Sequence, residues 1–108
     1  MKQKPIRSPK HLAFVRMQQC LVSYKGERCC GVPVVAHHLT IIKGARGIGQ
    51  KAGDDKTVCL CHSHHMNLHH IGEKLWWGQM EMNGEQEAEN LAALSPDSKI
   101  SQLYTIVE

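Results

Sequence analysis

The sequence predicts a small α+β domain in which a strand, a glycine-rich loop, a second strand and a helix occupy about forty residues, with further helices before and after. Three observations lead there. A chain of 108 residues has room for one domain, because surface-to-volume scaling leaves little core at this size. Two short β-branched or apolar runs, Val32 to His38 and Thr57 to Leu60, are followed by Cys61 to about His70, which has the length of a three-turn helix ended by Gly72. Finally, one Phe, two Tyr and two Trp are thin material for a self-sufficient core, whereas Cys and His together make 13 of the 108 residues. A staple other than aromatic packing is therefore expected, and the Cys and His supply it.

The elements follow in order. Residues 1–8 read as a flexible basic arm, ended by Ser8-Pro9, a cap and a pre-organised first helical position. A helix from about Pro9 to Gln19 carries Leu12, Phe14, Val15 and Met17, with Leu21 beyond it, at roughly helical spacing. Cys20 to Gly31 reads as a loop, and Lys43 to Lys56, with four Gly and four basic residues, as a long exposed one. After the His-rich helix come a short helix over Glu73 to Met80 and another over Glu85 to Leu94. Ser95-Pro96-Asp97 then repeats the cap-plus-proline signal before a last helix whose Ile100, Leu103, Tyr104 and Val107 fit one face. Residues 9–94 are expected to form the domain, and 95–108 a C-terminal helix packing on it or on a partner. Trp76 and Trp77 read as core anchors, His11 and His70 as solvated side chains, and Cys59 as an ordinary buried thiol.

The formal charge of +3 hides an asymmetry. Residues 1–56 hold 11 Lys or Arg against 3 acids, a balance of +8, while residues 57–108 hold 2 against 7, a balance of −5. The first half can face a polyanion; the contrast is equally explained by acids along a solvated C-terminal helix. Met1 to Lys10 lacks the apolar segment of a signal peptide, and no run of 18 apolar residues occurs, so a cytoplasmic location without membrane contact is expected. In that reducing compartment Cys mixed with His argues for metal before disulfide, and five Cys cannot all pair.

Five His lie between His62 and His70. On a helix His65 and His69 stand i, i+4 on one face, a spacing that lets two imidazoles share a cation; His62 lies near that face and can substitute. Cys61 and His64, i, i+3 at the start of the same helix, project from another side and suit a second site. Completing a tetrahedral zinc site takes two more soft ligands, and Cys20 with Cys30 or Cys29 supplies them; the favoured set is Cys20, Cys30, Cys61 and His64. His37-His38 at the end of a strand points two imidazoles to opposite faces, and a neutral His is a competent base for activating water.

Taken together, Ala36-His37-His38, then Gly47-Ile48-Gly49-Gln50-Lys51 and Asp54, then Val58-Cys59-Leu60-Cys61-His62-Ser63-His64-His65 and His69, followed by Gly72-Glu73 and Trp76-Trp77, resemble the HNH (ββα-metal, His-Me finger) endonuclease superfamily. The pattern is similar to small phage and prophage members, including Ref-like recombination-associated nucleases. The likeness runs over roughly Ser8 to Leu94, its specific part being His37 to His69. It implies a zinc-stabilised core of two short antiparallel strands and a metal-binding helix, flanked by N- and C-terminal helices.

The resemblance further implies a DNA endonuclease. His37, His65 and His69 would hold a divalent catalytic metal (Mg, Mn or Zn), and His38 would take the general-base position. Asp54, with Asp55 beside it, would fill the Asn-like position that orients the base. Lys43, Arg46 and Lys51 of the glycine-rich loop would hold the sugar-phosphate backbone. DNA is the implied partner, with a recombination or phage protein as a second. The chain departs from the family where relatives carry a compact CxxC: it reads CLVSYKGERCCG, so either the ligand shifts to Cys30 or the site has decayed. The competing class is a zinc-stabilised nucleic-acid- or protein-binding module without turnover, which has no need of His38.

Overall fold

The computed structural model describes residues 5–25, 29, 33–40 and 52–104. These form a small α+β domain with a two-stranded antiparallel sheet and several helices. Helix α1 (Pro9–Arg16) starts where the sequence places it, because the Ser8 hydroxyl accepts the His11 N–H at 3.0 Å and Pro9 follows the cap. It stops short of Gln19: the Met17 and Gln18 N–H groups donate three residues back, to Phe14 and Val15, which tightens and ends the last turn. A short 3-10 helix, Leu21–Lys25, occupies part of the expected loop. Ser23 seeds it by donating both its N–H and its hydroxyl to the Cys20 carbonyl, and it buries Leu21 and Val22.

Strands β1 (Val34–His38) and β2 (Thr57–Cys61) pair with His37 opposite Val58 and His38 opposite Thr57. Backbone bonds from Leu39 to Lys56 and from His62 to Pro33, both 3.0 Å, prolong the ladder. Every residue of β2 is buried, where a half-exposed strand would alternate. Side chains alternate across the sheet, and both faces are covered. On one, Cys59 Sγ donates to the Gln19 carbonyl at 3.2 Å, just beyond α1; on the other, His37 packs against His65 and His69.

Helix α2 (His62–Ile71) follows β2 directly and is closed by Gly72. Gly72 has φ +104, which suits glycine, and it turns the chain straight into α3 (Glu73–Met80). Trp76 and Trp77 are buried, edge-to-face at 4.9 Å, with indole N–H groups donating to Asn67 and Glu73. They anchor the core as the composition suggests. Asn83 caps α4 (Gly84–Ala93), and α5 (Ser98–Tyr104) packs on α4. None of the described helices is long and apolar enough to cross a membrane.

Several expectations are corrected. His11, read as solvated, is 0% exposed, its Nδ1 2.8 Å from the Ser95 hydroxyl. Ala52, Asp54 and Asp55 close the glycine-rich stretch as a buried turn, not as exposed loop. Residues 5–8 are no free arm: Asp54 N–H donates to the Ile6 carbonyl at 2.8 Å, and Ser8 N–H donates to Asp54 Oδ2 at 2.7 Å. On α5 Ile100 is buried but Leu103 is exposed; Val107 lies outside the described residues.

Candidate functional site

The end of β2 and the first turn of α2 bring two groups of metal-ligating side chains onto adjoining positions. Sulfurs of Cys20, Cys29 and Cys61 surround His64 Nδ1 at 3.6, 3.6 and 3.2 Å. Zinc bonded tetrahedrally to sulfur and nitrogen sets such an edge at about 3.6 Å, so the donor set and its spacing fit a structural zinc ion. Electrostatics agrees. Burial and the neighbouring Cys20 and Cys61 push the Cys29 thiol up to about 12, so three thiolates require a cation among them. Cys61 is also the N-cap residue of α2 and makes no side-chain cap bond; the helix N-terminus favours its ionised sulfur.

On a neighbouring side of α2, ligand atoms of His37, His65 and His69 lie within 4.8 Å of one another. The two Nε2 atoms of His65 and His69 are 3.1 Å apart, close to the edge of a coordination shell with metal–nitrogen bonds of about 2.1 Å. Burial, then the neighbouring His37, His69 and His62, lowers the His65 pKa to about 4, so its ring is neutral and has a lone pair to give. His37 Nε2 is buried without a formed hydrogen bond. Glu73 Oε1 lies 3.1 Å from it but off the N–H direction, an electrostatic contact.

His38, the next residue of β1, faces the other way. Its Nε2 lies 2.8 Å from Asp54 Oδ1. Burial raises the Asp54 pKa, but the His38 bond, the Ser8 N–H and nearby Arg7 outweigh it and hold the carboxyl below its ordinary value. An ionised carboxylate only accepts, so the shared hydrogen sits on His38 Nε2. Arg7 stands beside this pair, 3.3 Å from Asp54 Oδ1, with its side chain 52% exposed.

The structure thus brings together His37, His65 and His69, pairs His38 with Asp54, and gathers Cys20, Cys61 and His64. Cys29, the alternative weighed against Cys30, joins that cluster; Cys30, Lys43, Arg46 and Lys51 lie outside the described residues. Asp55 does not touch His38 but accepts the Tyr104 hydroxyl. His62 and His70 are exposed, and Cys59 stands apart from the cluster, its thiol pushed up to about 11 chiefly by burial. Sequence reasoning missed Arg7 and gave Glu73 no role. Arg7 looked like one more charge of a loose arm. Glu73 carried a signal, an acid at the first position of a helix closely following the histidines.

A two-stranded sheet sandwiched between helices, with one Cys/His cluster and one His cluster that could each hold a metal ion, defines a small α+β domain. The chain belongs to the family described as "Protein of unknown function (DUF968)", which it matches over residues 1–89, a span that takes in both clusters and the His38–Asp54 pair. No curated protein and no solved structure matches it.

Proposed function

We propose that this chain is a metal-dependent endonuclease of the HNH type that hydrolyses DNA phosphodiester bonds. The observation that carries the reading is the division of labour between two consecutive histidines of β1. His37 joins His65 and His69 in a cluster that runs from buried His37 through half-buried His65 to exposed His69, and His38 turns to Asp54 with Nδ1 left as a base.

Asp54 fixes the His38 tautomer and stabilises the imidazolium formed when Nδ1 takes a proton from the attacking water. A divalent ion on His37, His65 and His69 supplies charge neutralisation of the phosphate and of the departing oxygen. Arg7 offers its free N–H donors to a phosphate oxygen on the same side as His38. Cys20, Cys29, Cys61 and His64 hold a structural zinc that fixes the start of α2 and hence the aim of His65. The excess of basic residues in the first half of the chain suits a polyanionic substrate.

Purified protein given magnesium or manganese should nick or degrade supercoiled, linear or single-stranded DNA. His38→Ala should abolish cleavage while metal content is unchanged. Wild-type protein inert on every DNA form with every metal overturns the nuclease reading; a fully active His38→Ala overturns the base assignment.

A further inference from the structure

Glu73 is an acid with almost no access to water, its side chain 6% exposed, and it opens α3 directly behind the three-histidine cluster. Its carboxylate is well supplied with donors. Oε1 accepts the Thr40 N–H at 3.0 Å and the Thr40 hydroxyl at 2.5 Å, and Oε2 accepts the Trp77 indole N–H at 2.9 Å. A buried carboxylate is costly unless donors or a charge meet its oxygens. Beside it stands His37, whose side chain is 3% exposed and whose Nε2 is 3.1 Å away. Among the described residues, the ligand atoms lying within 4.8 Å of one another belong to His37, His65 and His69 and leave Glu73 out. Glu73 therefore stands behind the cluster and is no fourth member of it.

We infer that Glu73 is the positioning residue of the three-histidine centre: its Oε1 faces His37 Nε2 across the 3.1 Å contact, and when an ion is bound the ring turns its Nε2–H onto Oε1 and leaves Nδ1 to the metal. The inference rests on the metal-centre reading above and adds to it an outer carboxylate and a choice of ligating atom. Metal-bound imidazoles as a rule donate their second N–H to a carboxylate or carbonyl, which sets the tautomer and raises the basicity of the ligating nitrogen. Here the acceptor is already immobilised from two other directions. Thr40 ties it to the end of β1 and Trp77 ties it to the core, so His37 meets a fixed negative charge.

The test uses full-length protein with zinc in the Cys20, Cys29, Cys61 and His64 cluster, titrated with cobalt(II). Wild type is expected to bind one further cobalt with absorption typical of nitrogen and oxygen ligands. Glu73→Gln, close to isosteric, should bind it 10- to 100-fold more weakly with a shifted spectrum. Thr40→Val, which removes one donor to Glu73 but not its charge, should weaken cobalt binding by less than Glu73→Gln does. Unchanged affinity and spectrum in Glu73→Gln overturn the inference and leave the metal centre standing. Wild type that binds no second ion overturns the metal centre and the inference with it. Should Glu73→Gln not fold, nitrogen-15 imidazole spectra of zinc-saturated wild type decide: a metal-bound Nδ1 and protonated Nε2 on His37 support the assignment, and the reverse pattern overturns it.

Discussion

Stripping the ion from the Cys20, Cys29, Cys61 and His64 cluster is expected to bring this domain close to unfolding at ordinary temperatures. The magnitude follows from which segments the cluster joins. Cys20 lies between α1 and the 3-10 helix, and Cys61 is the last residue of β2. A shared ion closes about forty residues into a ring, and the chain-entropy relation for such a cross-link gives about 4 kcal/mol. Domains of this length are stable by about 5 to 15 kcal/mol in total, so one ion supplies a large share. At roughly 4 °C or more for each kcal/mol, the midpoint of thermal unfolding should fall by at least about 15 °C. The assay is calorimetry or circular dichroism with and without a strong zinc chelator, beside metal analysis of the same samples. Cys61→Ser should reproduce the loss; Cys59→Ser, whose sulfur meets the Gln19 carbonyl and not the cluster, should keep its zinc. A metal-free protein melting within about 3 °C of the untreated one would refute the reasoning, as would protein grown in zinc and purified without any.

Arg7→Ala should weaken DNA binding and lower the slope of log affinity against log salt by about one, because one cation leaves the phosphate contact; fluorescence anisotropy at several salt concentrations checks this, and an unchanged slope excludes the contact. His11 is buried, and that burial lowers its pKa from 6.5 against the opposing pull of Asp55, Asp54 and Asp97. Its folded form is neutral, so as pH falls below 6.5 the unfolded chain binds more protons and stability declines; stability rises with pH through the same window. Urea titrations from pH 7 to 5 should show a shallower dependence in His11→Gln, and identical slopes would remove His11 as the cause. A Cβ at Gly84 would meet Trp77 ring atoms at 2.6, 2.8 and 2.9 Å, so Gly84→Ala should cost about 1–3 kcal/mol in denaturant unfolding; an unaltered midpoint would mean that Trp77 has room to move.

Signals that are local in the chain were legible. Ser8-Pro9 marks the start of α1, Gly72 marks the end of α2, and Glu73–Met80 is a helix over the span expected. His65 and His69 meet because i, i+4 spacing needs no knowledge of the fold. The membership of Cys29 was not legible, since neighbouring cysteines carry the same donor atom and differ only in the direction the backbone gives it. His11 and Arg7 were misjudged for one reason. Each is placed by partners more than forty positions away, Ser95 for one and the Ala52–Asp54 turn for the other, and periodicity reads only near neighbours.

The turn at Asp54 to Lys56 is held from both sides of the chain. Arg7 and Ser8 reach it from before α1, and Tyr104 reaches it from the last turn of α5, where its hydroxyl donates to Asp55 and accepts from Lys56. Ser8 donates to Asp97, and Lys99 donates to the Arg7 carbonyl, which closes the ring. Asp54, the partner of His38, is thus held directly by residues ahead of α1, and α5 reaches it only through its neighbour Asp55 and through Ser8. A chain cut before α5 keeps all three histidines and the direct bonds to Asp54 while losing the outer brace of the turn.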